Sequence, residues 1–348
     1  MRRFSNTQVN KAGKVLKSAS QTSLNEIDDA ENLLTYWRYI HLPILNTFQA
    51  TLRQKISSKF KKQGFVSQRL KRRESIVAKL RREPNMKLST MQDIAGIRAV
   101  MTHLKDVTTL SNELKKSKAK HNLLDEYDYI SNPKPSGYRS LHLIFQYDNP
   151  NNLESNNLKI EVQLRTKLQH IWATTVETLG TFMNTSLKSS EGPSPILEFL
   201  NLTSSAFSIL EKCPVNPQHQ SIRKEDIFIL VMNEYERLKI EDKLKGFSVA
   251  AKHIEGNLIK GNYQYYLITL NLTDKYARVK GYSSKELNEA NLDYTNIERS
   301  IKSGANLQVV LVSTDKLSAL AKAYPSYFLD STDFIKQMNK IKSSIDKL

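Results

Sequence analysis

The sequence is poor in cysteine and has no long apolar run. It has one cysteine, Cys213, in 348 residues, which excludes an internal disulfide framework and any zinc site built from several cysteines. No apolar run approaches the roughly 20 residues that cross a bilayer. The basic N-terminus also lacks the apolar core of a signal peptide. The sequence therefore predicts a cytoplasmic protein with no membrane partner.

Positive charge is abundant and unevenly spread. The chain has 52 Lys and Arg against 35 Asp and Glu, a net charge of +17. Residues 52–87 alone hold 13 of these cations and only two glutamates. Such a concentration attracts polyanions, either nucleotide phosphates or nucleic acid. A solvated helix face would have the same composition, so charge alone leaves both interpretations open.

Composition and turn residues predict four parts. We expect a flexible basic arm, a main domain, a Pro/Gly-rich linker that contains one helix, and a small C-terminal α+β module whose role the sequence does not indicate. Their bounds are 1–24, 25–185, 186–222 and 223–348, respectively.

The main domain mixes helical and strand patterns. Helical spacing predicts a helix over about Ser67–Arg82, ending before a proline. β-forming residues predict strands at Ala95–Met101, Arg139–Tyr147 and Leu158–Arg165. The last of these alternates strictly, so apolar residues lie on one face and polar residues on the other. In the C-terminal module, one helix is predicted over Lys224–Ile254, followed by a hairpin.

The first segment with candidate functional residues lies on the predicted helix. Lys71, Ser75 and Lys79 are spaced four residues apart, which on a helix places two ammonium groups and a hydroxyl in one row. A triphosphate needs such donors in sequence. The guanidinium of Arg69 is suited to stack on a base. Basic helices are common, so this pattern by itself is a weak signal.

Two further segments supply carboxylates near strands. Asp93 precedes one strand and Arg98 lies within it, while Glu161 lies on the polar face of another. Gln163 and Arg165 continue that polar face. Magnesium prefers one or two protein carboxylates and lets substrate phosphates complete its shell. A strand cap with a surface arginine would also account for Asp93 and Arg98.

The remaining segment is a turn rich in proline and aromatic residues. It contains Lys134, Ser136 and Tyr138 and ends at His142. An aromatic ring stacks on a base while short polar groups and a cation meet its edge. A buried turn tyrosine would explain the ring equally well.

Together and in this order, the four segments resemble the synthetase domain of the RelA/SpoT family, the alarmone (p)ppGpp synthetases. The matching motifs span about residues 69–177, and the last two are highly specific. They read Arg-x-Lys-x-x-x-Ser-Ile-x-x-Lys-Leu, Asp-Ile-x-Gly-x-Arg, Tyr-Ile-x-x-Pro-Lys-x-x-Gly-Tyr-x-Ser-Leu-His and Glu-x-Gln-x-Arg-Thr.

The resemblance implies a nucleotidyltransferase-like mixed sheet flanked by helices, an α/β (α+β) fold. It also implies an ATP-dependent pyrophosphokinase that uses Mg²⁺ to transfer the β,γ-pyrophosphate of ATP to the 3′-hydroxyl of GDP or GTP. Asp93 and Glu161 would be the catalytic and metal-binding residues. The implied ATP-binding residues are Arg69, Lys71, Ser75, Lys79 and Arg98.

On the acceptor side, Tyr138 would stack on guanine, with Lys134 and Ser136 beside the base. His142, Gln163 and Arg165 would form a supporting polar face. Many family members have asparagine at the position of Ser136, so this sequence departs from the family at a guanine contact. The His-Asp metal motif of hydrolase-bearing members is absent from the sequence, so we expect a synthetase without a hydrolase.

Three alternatives stay open at this point. Toxic family members, in toxin–antitoxin or phage-defence roles, transfer pyrophosphate to the 3′-CCA end of tRNA or make adenosine alarmones, and the basic segment would suit tRNA. An inactive RNA- or nucleotide-binding module is a third reading, although every metal- and phosphate-binding residue type is present. Self-assembly and an antitoxin or trigger protein bound by the C-terminal module are also open.

Overall fold

The computed structural model describes residues 3–18, 23–61, 63–117, 121–183, 185, 187, 191–250, 253–255, 263–271, 273, 276–301, 307–313 and 331–345. None of the helices in these ranges is both long and apolar enough to cross a membrane. In chain order the elements are α1 (Asn6–Lys17), α2 (Leu24–Tyr39), α3 (Leu42–Lys59), β1 (Gly64–Leu70), α4 (Arg73–Arg82), β2 (Ala95–Met101), α5 (Leu104–Lys115), β3 (Asn122–Asp128), β4 (Leu141–Gln146), β5 (Lys159–Thr166), α6 (Lys167–Phe182), α7 (Ser194–Leu210), α8 (Lys224–Arg237), α9 (Ile240–Ala250), β6 (His253–Glu255), β7 (Tyr265–Asn271), β8 (Tyr276–Tyr282), α10 (Leu287–Ser300), β9 (Leu307–Ser313) and α11 (Thr332–Ile345).

The strands of the described residues form one mixed sheet, in the order β3-β4-β5-β2-β1-β9-β7-β8-β6. β2 runs parallel to β5 and β6 parallel to β8, whereas the other neighbours are antiparallel. Apolar side chains of α1–α5 and of β1, β2, β4 and β5 share one buried core. The predicted mixed sheet flanked by helices is therefore confirmed.

The alternation predicted for β5 is confirmed. Ile160, Val162 and Leu164 are all 0% exposed and lie in the core. Glu161 and Gln163 are half-buried on the opposite face. Because strand side chains alternate, one strand anchors the sheet and also presents polar groups on its other side.

The helix predicted over Ser67–Arg82 is wrong in its first part. The structure has β1 up to Leu70, and α4 begins only at Arg73. β1 pairs with β2 along its whole length, and Ser67 and Gln68 are buried there. Pairing with a neighbouring strand thus outweighs the local helical pattern.

Two other boundaries differ from the sequence prediction. The single helix predicted over Lys224–Ile254 is interrupted between α8 and α9, where Lys239 has a left-handed φ of 49°. The strand Asn122–Asp128 was not predicted, because it is a polar edge strand with mostly exposed side chains and no apolar period.

The segment predicted as a flexible arm contains α1, which is ordered by packing. Ser5 caps this helix through a reciprocal bond with Gln8, and Val9 and Leu16 are buried. The amphipathic pattern is short and interrupted by lysines, which explains why composition alone indicated a polar arm.

The predicted linker and C-terminal module pack closely on the main domain. Phe199 and Leu200 of α7 are buried in a helical core shared with α6, α8 and α11. β9 meets β1 at the pair Arg69–Val312, so the C-terminal strands extend the sheet of the main domain. The domain boundary itself stays a prediction.

Candidate active site

Strand register brings three of the four motifs together on the polar face of the sheet. Arg69 of β1, Gly96 of β2 and Glu161 of β5 occupy paired positions across three adjacent strands. A side chain added at Gly96 would approach only the carbonyl oxygen of Arg69, at 3.7 Å. Gly96 therefore leaves an open space on this face between Arg69 and Glu161.

Asp93 is the centre of a cationic cluster. Its carboxylate pairs with Lys71 Nζ at 2.7 Å and with Lys79 Nζ at 3.2 Å. Burial alone would raise the pKa of Asp93, but the charges of the two lysines outweigh burial and lower it. Asp93 is therefore ionised at neutral pH, and two ammonium groups are held at one point.

The predicted helical row of donors is wrong in detail, because Lys71 lies in the turn before α4. Lys79, on the second turn of α4, still converges with it on Asp93. Ser75 is exposed on the first turn of the same helix, and Arg69 is half-buried on β1. The structure thus brings the two lysines together by a strand–turn–helix geometry.

Around Glu161 five side chains form a closed ring of hydrogen bonds. Glu161 Oε1 lies 2.8 Å from His142 Nδ1, and His142 Nε2 lies 2.8 Å from the Tyr138 hydroxyl. Arg165 Nη2 donates to Tyr138 at 2.5 Å and to Gln163 Oε1 at 2.9 Å. Gln163 Nε2 closes the ring by donating to Glu161 Oε2 at 2.7 Å. The ring joins an acceptor-binding candidate, Tyr138, to the catalytic candidate, Glu161.

The ring has a consistent direction when His142 carries its proton on Nδ1, a tautomer assigned from the bonding pattern. Arg165 then donates both to Tyr138 and to Gln163, and the two branches end on the two oxygens of Glu161. Because both carboxylate oxygens accept, the orientation of Glu161 is fixed.

The same contacts set the acidity of Glu161. Burial would raise its pKa, but the hydrogen bonds from His142 and Gln163 and the positive charge nearby, that of Lys71 included, outweigh burial and lower the pKa. Glu161 is thus a firmly ionised, weakly basic carboxylate. Such a group is suited to binding a cation and to accepting a hydrogen bond.

Arg98 borders this ring from the neighbouring strand. Its Nε lies 3.5 Å from Gln163 Oε1, and Arg98 and Gln163 occupy paired positions on β2 and β5. Arg98 is half-buried. The structure therefore places this predicted ATP-binding residue beside the ring, on the strand that follows Asp93.

The loop before β4 presents two aromatic rings and a cation. Lys134 Nζ lies 4.3 Å from the ring centre of Tyr129 and 5.5 Å from that of Tyr138. Partial burial lowers the pKa of Lys134. Arg165 lies 5.0 Å from the centre of the Tyr138 ring. Ser136 is half-buried and lines a separate cavity of about 240 Å³ beside α6 and α7.

Some participants were missed at the sequence level. The sequence motif includes Tyr129 without predicting a role for it, yet its ring lies in cation–π contact with the Lys134 ammonium. His142 and Arg165 were predicted only to lie on a supporting polar face, and their hydrogen bonds to Tyr138 were not predicted. Period-2 alternation placed Arg165 and Gln163 on one face, but it gave no signal that Tyr138 would join them from another segment.

A residue of the C-terminal part contacts the N-terminus of α4, the helix that carries Ser75 and Lys79. Glu298 on α10 accepts from the backbone N–H of Arg73, the first residue of α4, at 2.9 Å. It also accepts from Arg38 at 2.5 Å and from the Tyr294 hydroxyl at 2.7 Å. Arg72, in the cap position, makes no side-chain capping bond. A carboxylate distant in sequence thus caps the helix that carries Ser75 and Lys79.

We expect Glu298→Gln to destabilise the protein by about 3–5 kcal/mol, because Arg38 is left as a buried charge without its counter-ion. Amides in the first turn of α4, at Ile76 and Val77, should exchange with solvent faster. Thermal unfolding and amide hydrogen exchange test both effects. Glu289→Gln is the control, since Glu289 lies exposed on the same helix. Equal exchange in α4 for the two variants would contradict the cap.

The comparisons with known proteins cover this part of the chain. Residues 68–180 match the family model described as a region found in RelA/SpoT proteins. Over 118 residues the chain is 36% identical to GTP pyrophosphokinase YjbM of Bacillus subtilis, a match that covers 33% of this chain and 56% of that protein. Over 113 residues it is 38% identical to GTP pyrophosphokinase YwaC of the same organism, covering 30% and 52% respectively.

A solved structure is also similar. The small alarmone synthetase 1 from Bacillus subtilis, bound to its product pppGpp, matches with a TM-score of 0.45 and 27% identity over 51% of this chain and 93% of that one. The chain spans about half the length of the curated relatives it matches. Residues 68–180 therefore resemble the RelA/SpoT region that the motifs predicted.

Proposed function

We propose that the protein transfers the β,γ-pyrophosphate of ATP to the 3′-hydroxyl of GDP or GTP and releases AMP. The 3′-oxygen forms a bond to the β-phosphorus, the bond between that phosphorus and the α-phosphate oxygen breaks, and the hydroxyl proton leaves. The observation that carries this proposal is the convergence of the Asp93 lysine cluster and the Glu161 ring on one sheet face, within the segment that matches the RelA/SpoT region.

On the donor side, Lys71 and Lys79 would hold the phosphates. Phosphoryl-type transfer depends mainly on positioning and charge neutralisation, and two ammonium groups at one point supply both. Ser75 would add a hydroxyl donor from the N-terminal turn of α4, where backbone N–H groups also favour anions. Arg69 and Arg98 would contact the rest of ATP, with Arg69 near the adenine.

Asp93 and Glu161 would hold Mg²⁺ between them. Both have lowered pKa values and are ionised at neutral pH, and hard carboxylate oxygens fit this ion. The described residues contain no cluster of three or more acidic, histidine or cysteine ligands, so a two-carboxylate site that uses substrate phosphates suits the residues present. When bound, the ion would neutralise phosphate charge.

On the acceptor side, Tyr138 would stack on the guanine and Lys134 would lie near the base, whereas Ser136 lines the separate cavity beside α6 and α7. Glu161, held by His142 and Gln163, would accept a hydrogen bond from the 3′-hydroxyl and orient it. Its lowered pKa makes it a better orienting group than proton acceptor at neutral pH.

The test is transfer of label from γ-³²P-ATP, with magnesium, to GDP, GTP, adenosine nucleotides or bulk tRNA in separate reactions. We expect labelled product with GDP or GTP. Label on tRNA that is lost when the 3′ adenosine is removed would replace the proposed acceptor with tRNA. Label on no acceptor, under conditions where nucleotide still binds, would indicate an inactive nucleotide-binding module.

The basic segment gives limited support to the tRNA alternative. Many of its cations already face carboxylates within the chain, which reduces the charge available to a nucleic-acid backbone. The paired residues are Lys55 and Lys59 with Glu113, Lys71 and Lys79 with Asp93, and Arg73 with Glu31. Guanosine nucleotides therefore stay the first choice of acceptor.

Two substitutions at Tyr138 separate stacking from the hydrogen-bond ring. Tyr138→Phe keeps the aromatic face and removes the hydroxyl, so we expect kcat to fall about tenfold with little change in the acceptor KM. Tyr138→Ala also removes the face, which is worth about 1–3 kcal/mol per base, so the acceptor KM should rise about 5- to 150-fold. Steady-state kinetics measures both effects. Tyr39→Ala is the control, because Tyr39 is exposed and lies outside the site. Equal KM values for both variants would contradict stacking.

A further inference from the structure

The segment predicted as a linker contacts the loop of residues 129–140, which carries Lys134 and Tyr138. We call residues 129–140 the acceptor loop. Asn201 on α7 donates to the carbonyl of Pro135 at 2.9 Å. Asn216, just beyond α7, donates to the carbonyl of Lys134 at 3.3 Å and to Asn201 Oδ1 at 2.7 Å. Both asparagines lie outside residues 68–180, the extent of the family match.

A second set of contacts fixes the next turn of the loop. Ser204 donates to the carbonyl of Gly137 at 2.5 Å and accepts from Arg139 Nε at 3.1 Å. Arg139 Nη1 donates to the carbonyl of Ile130 at 3.1 Å, so the start of the loop is tied to the same serine. Gly137 has φ of 84°, and a Cβ there would lie 2.9 Å from Ser204 and 3.2 Å from Trp172.

The three side chains that make these contacts are buried, and the bonds of Ser204 and the bond between the two asparagines are buried as well. Asn201 is 7% exposed, and Ser204 and Asn216 are 2% exposed. The carbonyls of Lys134, Pro135 and Gly137 all accept bonds from this side. Gly137 is buried, so its carbonyl would lose a donor that water does not readily replace, whereas the Lys134 carbonyl also accepts from the Gly137 N–H at 2.8 Å. The three side chains together therefore hold three successive points of the loop.

We propose that Asn201, Ser204 and Asn216 are positioning residues for the acceptor nucleotide. They fix the loop that carries Lys134 and Tyr138, and they act on the acceptor through it. Because the lysine cluster at Asp93 lies on other elements, these residues affect the acceptor and leave ATP binding unchanged. This inference rests on the proposed function for its choice of acceptor.

The test compares Ser204→Ala and Asn216→Ala with Ser208→Ala. Ser208 is 1% exposed on the same helix, and its hydroxyl donates to the carbonyl of Ser205, at 2.8 Å, within α7. We expect amides of residues 129–140 to exchange about tenfold faster in the first two variants than in Ser208→Ala. The KM for GDP should rise about tenfold, while the KM for ATP stays within twofold of the wild-type value.

Three outcomes would overturn parts of this inference in distinguishable ways. Unchanged amide hydrogen exchange in residues 129–140 would refute the idea that these three side chains fix the loop. Faster exchange with equal rises in both KM values would show a general structural effect and refute the specific role in acceptor binding. Wild-type protein that transfers pyrophosphate to no acceptor would refute the proposed function and the acceptor role, and the exchange comparison would still decide whether α7 holds the loop.

Discussion

Glu161→Gln is expected to reduce pyrophosphate transfer by about 10³-fold or more while the protein stays folded. Glutamine keeps the size of the side chain but removes the negative charge that would hold the cation and accept from the 3′-hydroxyl. Losing a group that orients or deprotonates a reacting hydroxyl typically costs about 10²–10⁴ in rate. The loss of a metal-binding charge adds to this.

The amide of the glutamine would also disturb the ring. Its NH₂ group has to face either the Nδ1–H of His142 or the NH₂ of Gln163, and both of these donate to Glu161 in the native ring. One donor–donor contact results, or His142 changes its tautomer.

Initial rates at saturating ATP and GDP measure the effect, and circular dichroism with thermal unfolding verifies the fold. His142→Gln is an informative companion, because it removes one partner of Glu161 and leaves the carboxylate in place. We expect this variant to retain at least tenfold more activity than Glu161→Gln. Residual transfer by Glu161→Gln above about a tenth of the wild-type rate would remove Glu161 from the catalytic role.

Asp93→Asn is expected to be nearly as damaging, for a different reason. Lys71 and Lys79 are each about one-fifth exposed and are held by this one carboxylate. Without its charge the two ammonium groups repel each other, and half of the proposed cation site is lost. We expect transfer to fall about 10²–10³-fold, in line with the removal of one preorganised electrostatic group.

Glu113→Gln provides a closely matched control. Glu113 also bridges two lysines, Lys55 at 3.5 Å and Lys59 at 2.6 Å, but it does so on α5, away from the polar face of the sheet. Both variants remove one charge from a lysine–carboxylate–lysine arrangement. If both lose activity to the same extent, the loss reflects general charge balance and the assignment of Asp93 fails.

The polar face of β5 could be predicted from the sequence because strand alternation is a local rule. Ile160, Val162 and Leu164 had to point inward once the strand formed, which left Glu161 and Gln163 on the other face. Which elements would surround that face was beyond local reasoning. The site residues themselves stay proposals, although the structure brings most of them together.

Sequence reasoning failed where distant segments decide the outcome. Residues 67–70 have a helical pattern, but pairing with β2 makes them a strand. The hydrogen bonds of Glu298 to Arg73 and of Asn216 to Lys134 join residues 225 and 82 positions apart in the chain. Local period and turn chemistry carry no information about such pairs, and α7 was therefore interpreted as part of a linker.

The junction between β1 and β9 has a practical consequence for deletion experiments. A fragment that ends at residue 222 would lack β9, and β1 would lose its pairing at Arg69–Val312, which leaves this side of β1 open to pairing with another chain. Arg38 would lose both of its partners on α10, Glu298 and Tyr294. Such a fragment is prone to aggregate, so a loss of activity on truncation would report damage to the N-terminal fold and not the removal of a regulator. Point substitutions on α10 are the better instrument for asking what the C-terminal part does.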